Sequence, residues 1–537
     1  GRGPEDNFHR TRRRMGDNTL MDYSGAVLIS VYDKTGVEEI AAAFVEKGAE
    51  IYSTGGTARY LREHDIPVTD VSEVTGFPEI LDGRVKTLHP RIFGGILADR
   101  NTHSHIEQIK AHNIKPVIAA IINFYPFQAV VQREDVTFQE IIENIDIGGP
   151  SMLRAAAKNH QHVLPVCRKE QFASVMNAIE NDSIDDIRVA LAREAFLYTL
   201  QYEQAIAGFF SEQQSDADQS ELPDLLPLTF KRSLSLRYGE NPHQRASFYE
   251  PAGEIGFDFQ GRQLQGKDLS YNNLLDLDSA IRIIQEFREN ACVIIKHTNP
   301  CGFAFGDDTL EAYRQAVTTD PVSYFGGIVG FNQPVDGKTA EELTKSFLEC
   351  IVAPDFSDEA IETFKSKKNL RIIRYNMTKF AGSAYEIRPA FTGYLLQDRD
   401  PVLGDSIDMN VVTDRKPTAS EEQALRLAWR LVKHTKSNGI VFANERKALG
   451  VGAGQMSRVD SVKIAVRKAG EAELSLDGAS MASDAFFPFP DGVEAAAEAG
   501  IRAVIQPGGS IRDDEVIAAA NQQDLAMVFT GKRHFKH

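Results

Sequence analysis

Apolar and polar positions alternate in blocks that predict a layered α/β chain. "G-A-V-L-I-S-V-Y", residues 25–32, is an almost unbroken apolar run of strand length, which predicts a buried strand. "T-G-V-E-E-I-A-A-A-F-V-E-K-G" follows with apolar residues three and four apart, the spacing of an amphipathic helix stopped at Gly48. "E-I-Y-S-T" (50–54) and "V-I-A-A-I-I-N-F-Y" (117–125) are further strands, so the region predicts a parallel sheet with helices on both faces. A long helical pattern over 184–210 closes this domain, taken as 25–210. The polar, acidic stretch "S-E-Q-Q-S-D-A-D-Q-S-E-L-P-D" opens a linker over 211–227.

The rest carries a faint internal echo. "V-I-I-K-H-T-N" with Gly302 and Gly306 answers "G-I-V-F-A-N" with Gly450 and Gly452. "S-Y-F-G-G" from Ser323 answers "S-D-A-F-F" from Ser483, Asp336-Gly337 answers Asp491-Gly492, and "I-V-A-P" answers "V-I-Q-P". Four pairs in one order, offset by roughly 150 residues, predict two related subdomains, 228–400 and 401–537.

At 537 residues the chain has room for such an organisation. A formal charge of −17 argues for a soluble protein and against a nucleic-acid partner, although local cations and backbone N–H groups can still bind a small anion. Four cysteines without a C-x-x-C pair make no disulfide framework, so a cytoplasmic location is expected. No apolar run is long enough for a membrane span, and no membrane partner is expected. Residues 1–24, beginning "G-R-G-P-E-D-N-F-H-R-T-R-R-R", lack the apolar centre of a secretory signal and are expected to be a disordered leader or an added extension.

In the first domain, "S-V-Y-D-K-T-G" (30–36) and "S-T-G-G-T" (53–57) each stand where a strand gives way to a helix. Glycines, hydroxyls, Lys34 and a helix N-terminus suit a phosphate, although either loop alone is more often an ordinary turn. "G-R-V-K-T-L-H-P" adds Arg84, Lys86 and His89. Asn123 and Tyr125 follow the most apolar strand, and "D-I-G-G-P" places Asp146 before a helix carrying Lys158. Alone, Lys158 is more often a solvated helix residue.

In the second part, "K-H-T-N-P-C-G" (296–302) follows a buried strand. Zinc is not expected, because Pro300-Cys301 has no second cysteine and His297 no following Glu. Small cysteines such as Cys301 are more often buried than nucleophilic. What remains is Lys296 beside His297, an ammonium next to a base, or simply a structural turn. Arg237 and Tyr238, Asn438, Arg458 after "G-V-G-A-G-Q-M-S", and Asp484 beside Phe486, Phe487 and Phe489 mark loops suited to an anionic, flat ligand. At least one phenylalanine is expected to be core.

These motifs, in this order from about residue 25 to the end, resemble the AICAR transformylase/IMP cyclohydrolase family, in its shorter bacterial form. The resemblance implies a methylglyoxal-synthase-like N-terminal domain and a transformylase of two cytidine-deaminase-like subdomains without catalytic metal, leaving room for a structural monovalent cation. It implies the last two steps to IMP: formyl transfer from 10-formyltetrahydrofolate to AICAR, then dehydrative closure of FAICAR, in a cytoplasmic homodimer. By the same resemblance, Lys296 and His297 match the catalytic pair, Asn438 orients the formyl group, Asp484 fixes the folate, and Arg237, Tyr238, Arg458 and Arg533 hold the nucleotide, with Phe486 a further substrate contact. Ser30, Lys34, Thr35, Ser53, Thr54, Gly56 and Thr57 match phosphate and ribose contacts. Arg84, Lys86, Thr87, Asn123, Tyr125, Asp146, Gly148 and Lys158 match the surroundings of the closing ring. Tyr32, Phe124 and Lys536 depart mildly from the family pattern. Two weaker readings are an enzyme with only the N-terminal chemistry and a nucleotide-binding regulator without turnover.

Overall fold

The computed structural model describes residues 23–81, 84–213, 222, 225–251, 262–375, 385–403 and 407–537. The expected leader, save its last two residues, and most of the linker lie outside the described residues. The chain divides into two compact units, residues 1–229 and 230–537.

In the first unit, strands β1 (Ala26–Ser30), β2 (Glu50–Ser53), β3 (Val68–Asp70), β4 (Val117–Ile122) and β5 (Leu164–Val166) form a parallel sheet in the order β3-β2-β1-β4-β5. The unbroken apolar runs follow from burial on both faces. Val27 and Ile29 enter one core cluster with Phe44 and Val175, whereas Ala26 and Leu28 enter another with Leu153 and Ala195. The helix Val37–Glu46 lies within the pattern that predicted it, and the long closing helix is Arg188–Gln213, packed on the helix Gly148–Lys158.

In the second unit, a hairpin of β6 (Phe230–Leu236) and β7 (Ala246–Pro251) precedes a six-stranded mixed sheet. Its strands are β8 (Gln263–Gln265), β9 (Ala291–Lys296), β10 (Asn299–Phe305), β11 (Ile328–Phe331), β12 (Cys350–Ala353) and β13 (Arg371–Arg374). After a second hairpin, β14 (Tyr385–Ala390) and β15 (Gly393–Asp398), comes another mixed sheet. It holds β16 (Asn410–Val411), β17 (Ile440–Ala443), β18 (Ala448–Gly452), β19 (Ser480–Ser483), β20 (Ala503–Gln506) and β21 (Ala526–Phe529).

The two sheets repeat one topology. The orders β10-β9-β11-β12-β13-β8 and β18-β17-β19-β20-β21-β16 match strand for strand, with the same parallel and antiparallel joins. One core cluster spans both, with Val293 and Ile295 from one sheet, Val441 and Ile505 from the other, and Leu277 and Trp429 from helices. The glycine echo has a packing cause at Gly302 and Gly450. A Cβ there would stand 2.4 and 2.5 Å from the carbonyl oxygens of Ala316 and Ala465, so only glycine lets the next helix lie on the strand. The pairing of Ser323 with Ser483 is different: Ser323 precedes β11, whereas Ser483 ends β19. That likeness is one of composition, not of place.

Candidate functional site

In the first unit, chain order reverses between β1 and β4, so a crevice opens at their carboxyl ends. Two loops meet there. Lys34 Cε lies 4.0 Å from where a Cβ would sit at Gly56, which places the ammonium arm over the glycine loop. Thr54 caps the helix Gly55–Glu63 without a side-chain bond, and that helix has no acidic residue in its first turn, an N-terminus suited to an anion. Ser30 ends β1. Other predicted contacts are spent on shape. Ser53 Oγ donates to the Ile29 carbonyl at 2.7 Å, and Thr57 Oγ1 donates to the Val31 carbonyl at 2.9 Å. Asn123 clamps the loop: Tyr32 and Asp33 N–H donate to its Oδ1 at 2.5 and 3.2 Å, and its Nδ2 donates to the Asp33 carbonyl at 2.9 Å. Thr35 N–H and hydroxyl both donate to Asp33 Oδ1, which holds that carboxyl down at about 2.

Beside this lie Asp146, Thr87, Gly148 and Tyr125. Gly149 N–H donates to Asp146 Oδ1 at 2.9 Å, and Asp146 N–H donates to the Tyr202 hydroxyl at 2.7 Å. Burial raises the Asp146 carboxyl, against the Gly149 N–H and the charge of Lys86. A Cβ on Gly148 would stand 2.9 Å from Thr87 Oγ1, and one on Gly149 2.4 Å from Asp146 Oδ2, so the backbone must be bare at both positions. The Tyr125 ring is tilted against Tyr32, centroids 5.5 Å apart. Lys86 Nζ is 3.8 Å from Glu79, and Arg84 is paired with Glu143. Lys158 is not brought here. It is exposed at the far end of the helix Gly148–Lys158, about 15 Å along the axis from Gly148 at 1.5 Å per residue. Exposed at that end, it fits the reading of a solvated helix residue.

In the second unit, His297 and Thr298 form the two-residue turn joining β9 to β10, both left-handed with φ of 49° and 63°. Such turns favour Asn-Gly, and a threonine there is strained by about 1–3 kcal/mol. The strain is held locally. Thr298 N–H donates to Asp276 Oδ1 at 2.6 Å, and Asn299 Nδ2 donates to the His297 carbonyl at 3.2 Å. Lys296 Nζ donates to the Phe325 carbonyl at 2.7 Å. Burial raises the Asp276 carboxyl, against the Thr298 N–H and the charges of His297, Lys296 and Lys436. Lys296, His297 and Cys301 line a cavity of about 250 Å³, closed on its other side by Val451, Ala453 and Lys468 of the second half. Burial pushes the Cys301 thiol up to about 12, which disfavours a thiolate nucleophile.

Asn438 and Asp484 belong to one buried cluster. Arg458 donates to Asn438 Oδ1 at 2.8 Å, to Ser483 Oγ at 2.7 Å and to Asp484, and Ser437 Oγ donates to the other Asp484 oxygen at 2.5 Å. Asp484, expected as an acceptor set in an apolar wall, is 0% exposed, which corrects the expectation that it meets a ligand directly. Its oxygens are taken from within, and it holds Arg458 instead of facing a ligand. Of the three phenylalanines, Phe487 is core, while Phe486 and Phe489 keep exposed surface. Arg237 and Tyr238 follow β6, the guanidinium over the ring at 4.7 Å, and Arg533 lies exposed over Phe535. Among the described residues no hydrogen bond or ion pair joins these three to the Lys296 turn.

Sequence reading missed Asp276, Asn299 and Ser437. Asp276 looks like any polar position of an amphipathic helix, and only the fold brings it under the turn. It also missed Glu286, fully buried with Lys433 Nζ at 2.7 Å and His434 Nε2 at 2.9 Å from Oε1. Burial would raise Glu286, but the hydrogen bond from His434 and the charge of Lys433 outweigh it and hold the carboxyl at about 2. Burial holds His434 down at about 4, so it stays neutral at pH 7. The unfolded chain takes up a proton at His434 near pH 6.5, whereas the folded chain resists until about 4. The second unit is therefore expected to lose stability as pH falls from 6.5 toward 4. Thermal unfolding midpoints across that range check this, with His434→Gln showing a flatter dependence.

Among the described residues no group of three or more His, Cys, Asp or Glu could hold a metal ion, and no helix is long and apolar enough to cross a membrane.

A family model described as the AICARFT/IMPCHase bienzyme matches residues 156–468, and one described as an MGS-like domain matches residues 36–151. A bifunctional purine biosynthesis protein PurH of Desulfitobacterium hafniense is 50% identical over 517 residues, 95% of this chain and 99% of that protein. Proteins of the same description from Magnetococcus marinus and Bacillus cereus are 49% and 47% identical, each again covering 95% of this chain and 99% of its own length.

Proposed function

This chain belongs to the AICARFT/IMPCHase bienzyme family, and on that premise we propose how its two units divide the last two steps of IMP synthesis. The chain is a formyltransferase and an IMP cyclohydrolase. The second unit, residues 230–537, carries the transferase, with 10-formyltetrahydrofolate as cosubstrate. The first unit carries the cyclohydrolase.

In the transferase, the amine of AICAR is a poor nucleophile because its lone pair is delocalised into the imidazole. His297 takes the amine proton as the nitrogen attacks the formyl carbon, Lys296 fixes charge beside it, the bond from the formyl carbon to N10 breaks, and that proton passes to N10 as tetrahydrofolate leaves. Asn438, held by Arg458, orients the formyl group. Asp484 acts through Arg458 as a positioning residue. Arg237, Tyr238, Phe486 and Arg533 complete the ligand contacts.

In the cyclohydrolase, Lys34 and the glycine loop hold the phosphate. The carboxamide nitrogen attacks the formyl carbon, and the formyl oxygen leaves as water with one proton from that nitrogen and one from the formamido nitrogen, which becomes doubly bonded to the carbon. Lys86 and Tyr125 polarise that oxygen, and Asp146 handles protons. Exposed apolar side chains on one helix, Val189, Leu197 and Leu200, support a homodimer. Four free thiols suit a reducing cytoplasm.

The observation that carries the reading is the strained turn that sets Lys296 and His297 at a cavity between two halves. Gly149→Ala tests the division of labour. Its Cβ displaces Asp146, so closure of supplied FAICAR is expected to fall about a hundredfold, the usual scale of an ångström's misplacement. Formyl transfer is expected to hold. Equal loss of both would refute separate sites.

A further inference from the structure

Lys296 is held by a backbone carbonyl, so its position is only as good as the loop supplying it. That loop, residues 320–326, is tied at its start by one carboxylate. Asp320 Oδ1 accepts from Val322 and Ser323 N–H at 3.2 and 2.9 Å, and its Oδ2 accepts from Lys468 Nζ at 3.0 Å. Lys468 stands on the helix Arg458–Glu471 of the other half, and its side chain and that of Asp320 are 28% and 12% exposed. Burial would raise Asp320, but the bonds from Ser323 and Lys468 outweigh it and keep the carboxyl ionised below its usual range. Five residues on, the Phe325 carbonyl accepts from Lys296 Nζ, and Gly326, left-handed at φ 69°, leaves only 3.3 Å between its missing Cβ and that nitrogen.

The same helix clasps the other side of the site. Arg458, its first residue, holds Asn438 and Asp484, while Lys468, in its last turn, holds Asp320. Its seat is tight, since a Cβ on Gly452 would lie 1.9 Å from the Ser461 carbonyl oxygen.

We propose that Asp320 and Lys468 are positioning residues for formyl transfer. The ion pair across the two halves fixes the 320–326 loop, and that loop fixes the Lys296 ammonium beside His297. This rests on the reading of Lys296 and His297 as the transferring pair.

The full-length enzyme tests it through Lys468→Met, Lys468→Arg, Asp320→Asn and Lys296→Met, each assayed for formyl transfer and for closure of supplied FAICAR. Lys468→Met and Asp320→Asn are expected to lower kcat of transfer at least tenfold with KM of AICAR within twofold, and to leave closure unchanged. Lys468→Arg, which keeps the charge, should recover most of the loss. A twofold or smaller change in kcat, a loss shared equally by both activities, or no recovery with arginine overturns the proposal. Lys296→Met separates the failures. If it leaves transfer at the wild-type rate, the reading of the Lys-His pair falls and the proposal with it. If it abolishes transfer while Lys468→Met does nothing, only the brace falls.

Discussion

Replacing His297 by alanine is expected to lower formyl transfer to AICAR by about 10²- to 10⁴-fold, the range of a lost general base, and to leave closure of supplied FAICAR unchanged. The selectivity follows from the fold. His297 lies in a hairpin of the second unit, and the residues proposed to close the ring lie in the first. The turn complicates the experiment, because position 297 is left-handed with φ 49° and alanine is no better suited to it than histidine. His297→Asn is the sharper variant. Asparagine tolerates the left-handed region, so the turn survives while the base is gone. Both variants should lose transfer to a similar degree. If asparagine keeps most of the activity, the turn's shape matters and the imidazole does not.

The second large effect is expected from Asp484→Ala, on stability more than on rate. Arg458 and Asp484 are 7% and 0% exposed at the side chain, and removing the carboxylate leaves a buried guanidinium without its counter-charge. Breaking such a pair from one side costs about 3–5 kcal/mol, whereas the intact pair adds little over apolar packing. The chain has two compact units, so calorimetry should show the loss in the transition of the second unit alone, shifted down by about 5–8 °C. Arg458→Lys keeps a charge but loses the fork that reaches Asn438, Ser483 and Asp484 together, and should be milder. If Asp484→Ala unfolds at the wild-type temperature, the cluster is not what holds Asn438 in place.

The first unit was readable because its strands are buried on both faces. The run from Ala26 to Ile29 is apolar at every step, with alternate residues feeding opposite cores, and no side-chain period has to be inferred. The duplication was readable only where backbone packing demands one residue type. Gly302 and Gly450 match because a helix carbonyl sits where a Cβ would be, and the proline after "I-V-A" and "V-I-Q" matches because both strands end there. The serine pairing was misread because no such constraint acts on it.

The candidate site was legible as a set of loops, less so as a set of roles. Lys296 and His297 stand in sequence as they stand in space, since a two-residue turn leaves no freedom between them. Lys158 shares a helix with Gly148 but not its end, because a helix carries a side chain away at 1.5 Å per residue whatever its chemistry. Asn123 and Asp484 have the right chemistry, but their polar atoms are taken up within the chain, by the Tyr32–Asp33 backbone and by Arg458 and Ser437.

The layers, the glycine positions and the local pair Lys296-His297 are legible from residue order, because each depends on near neighbours or on a single forbidden Cβ. Which polar side chains stay open to a ligand, and which, such as Asp276, Asp320 and Lys468, are drawn in from far along the chain, depends on the fold. Burial and partnership are set by residues that share no sequence neighbourhood, and an unpaired buried polar group costs too much to be left without one.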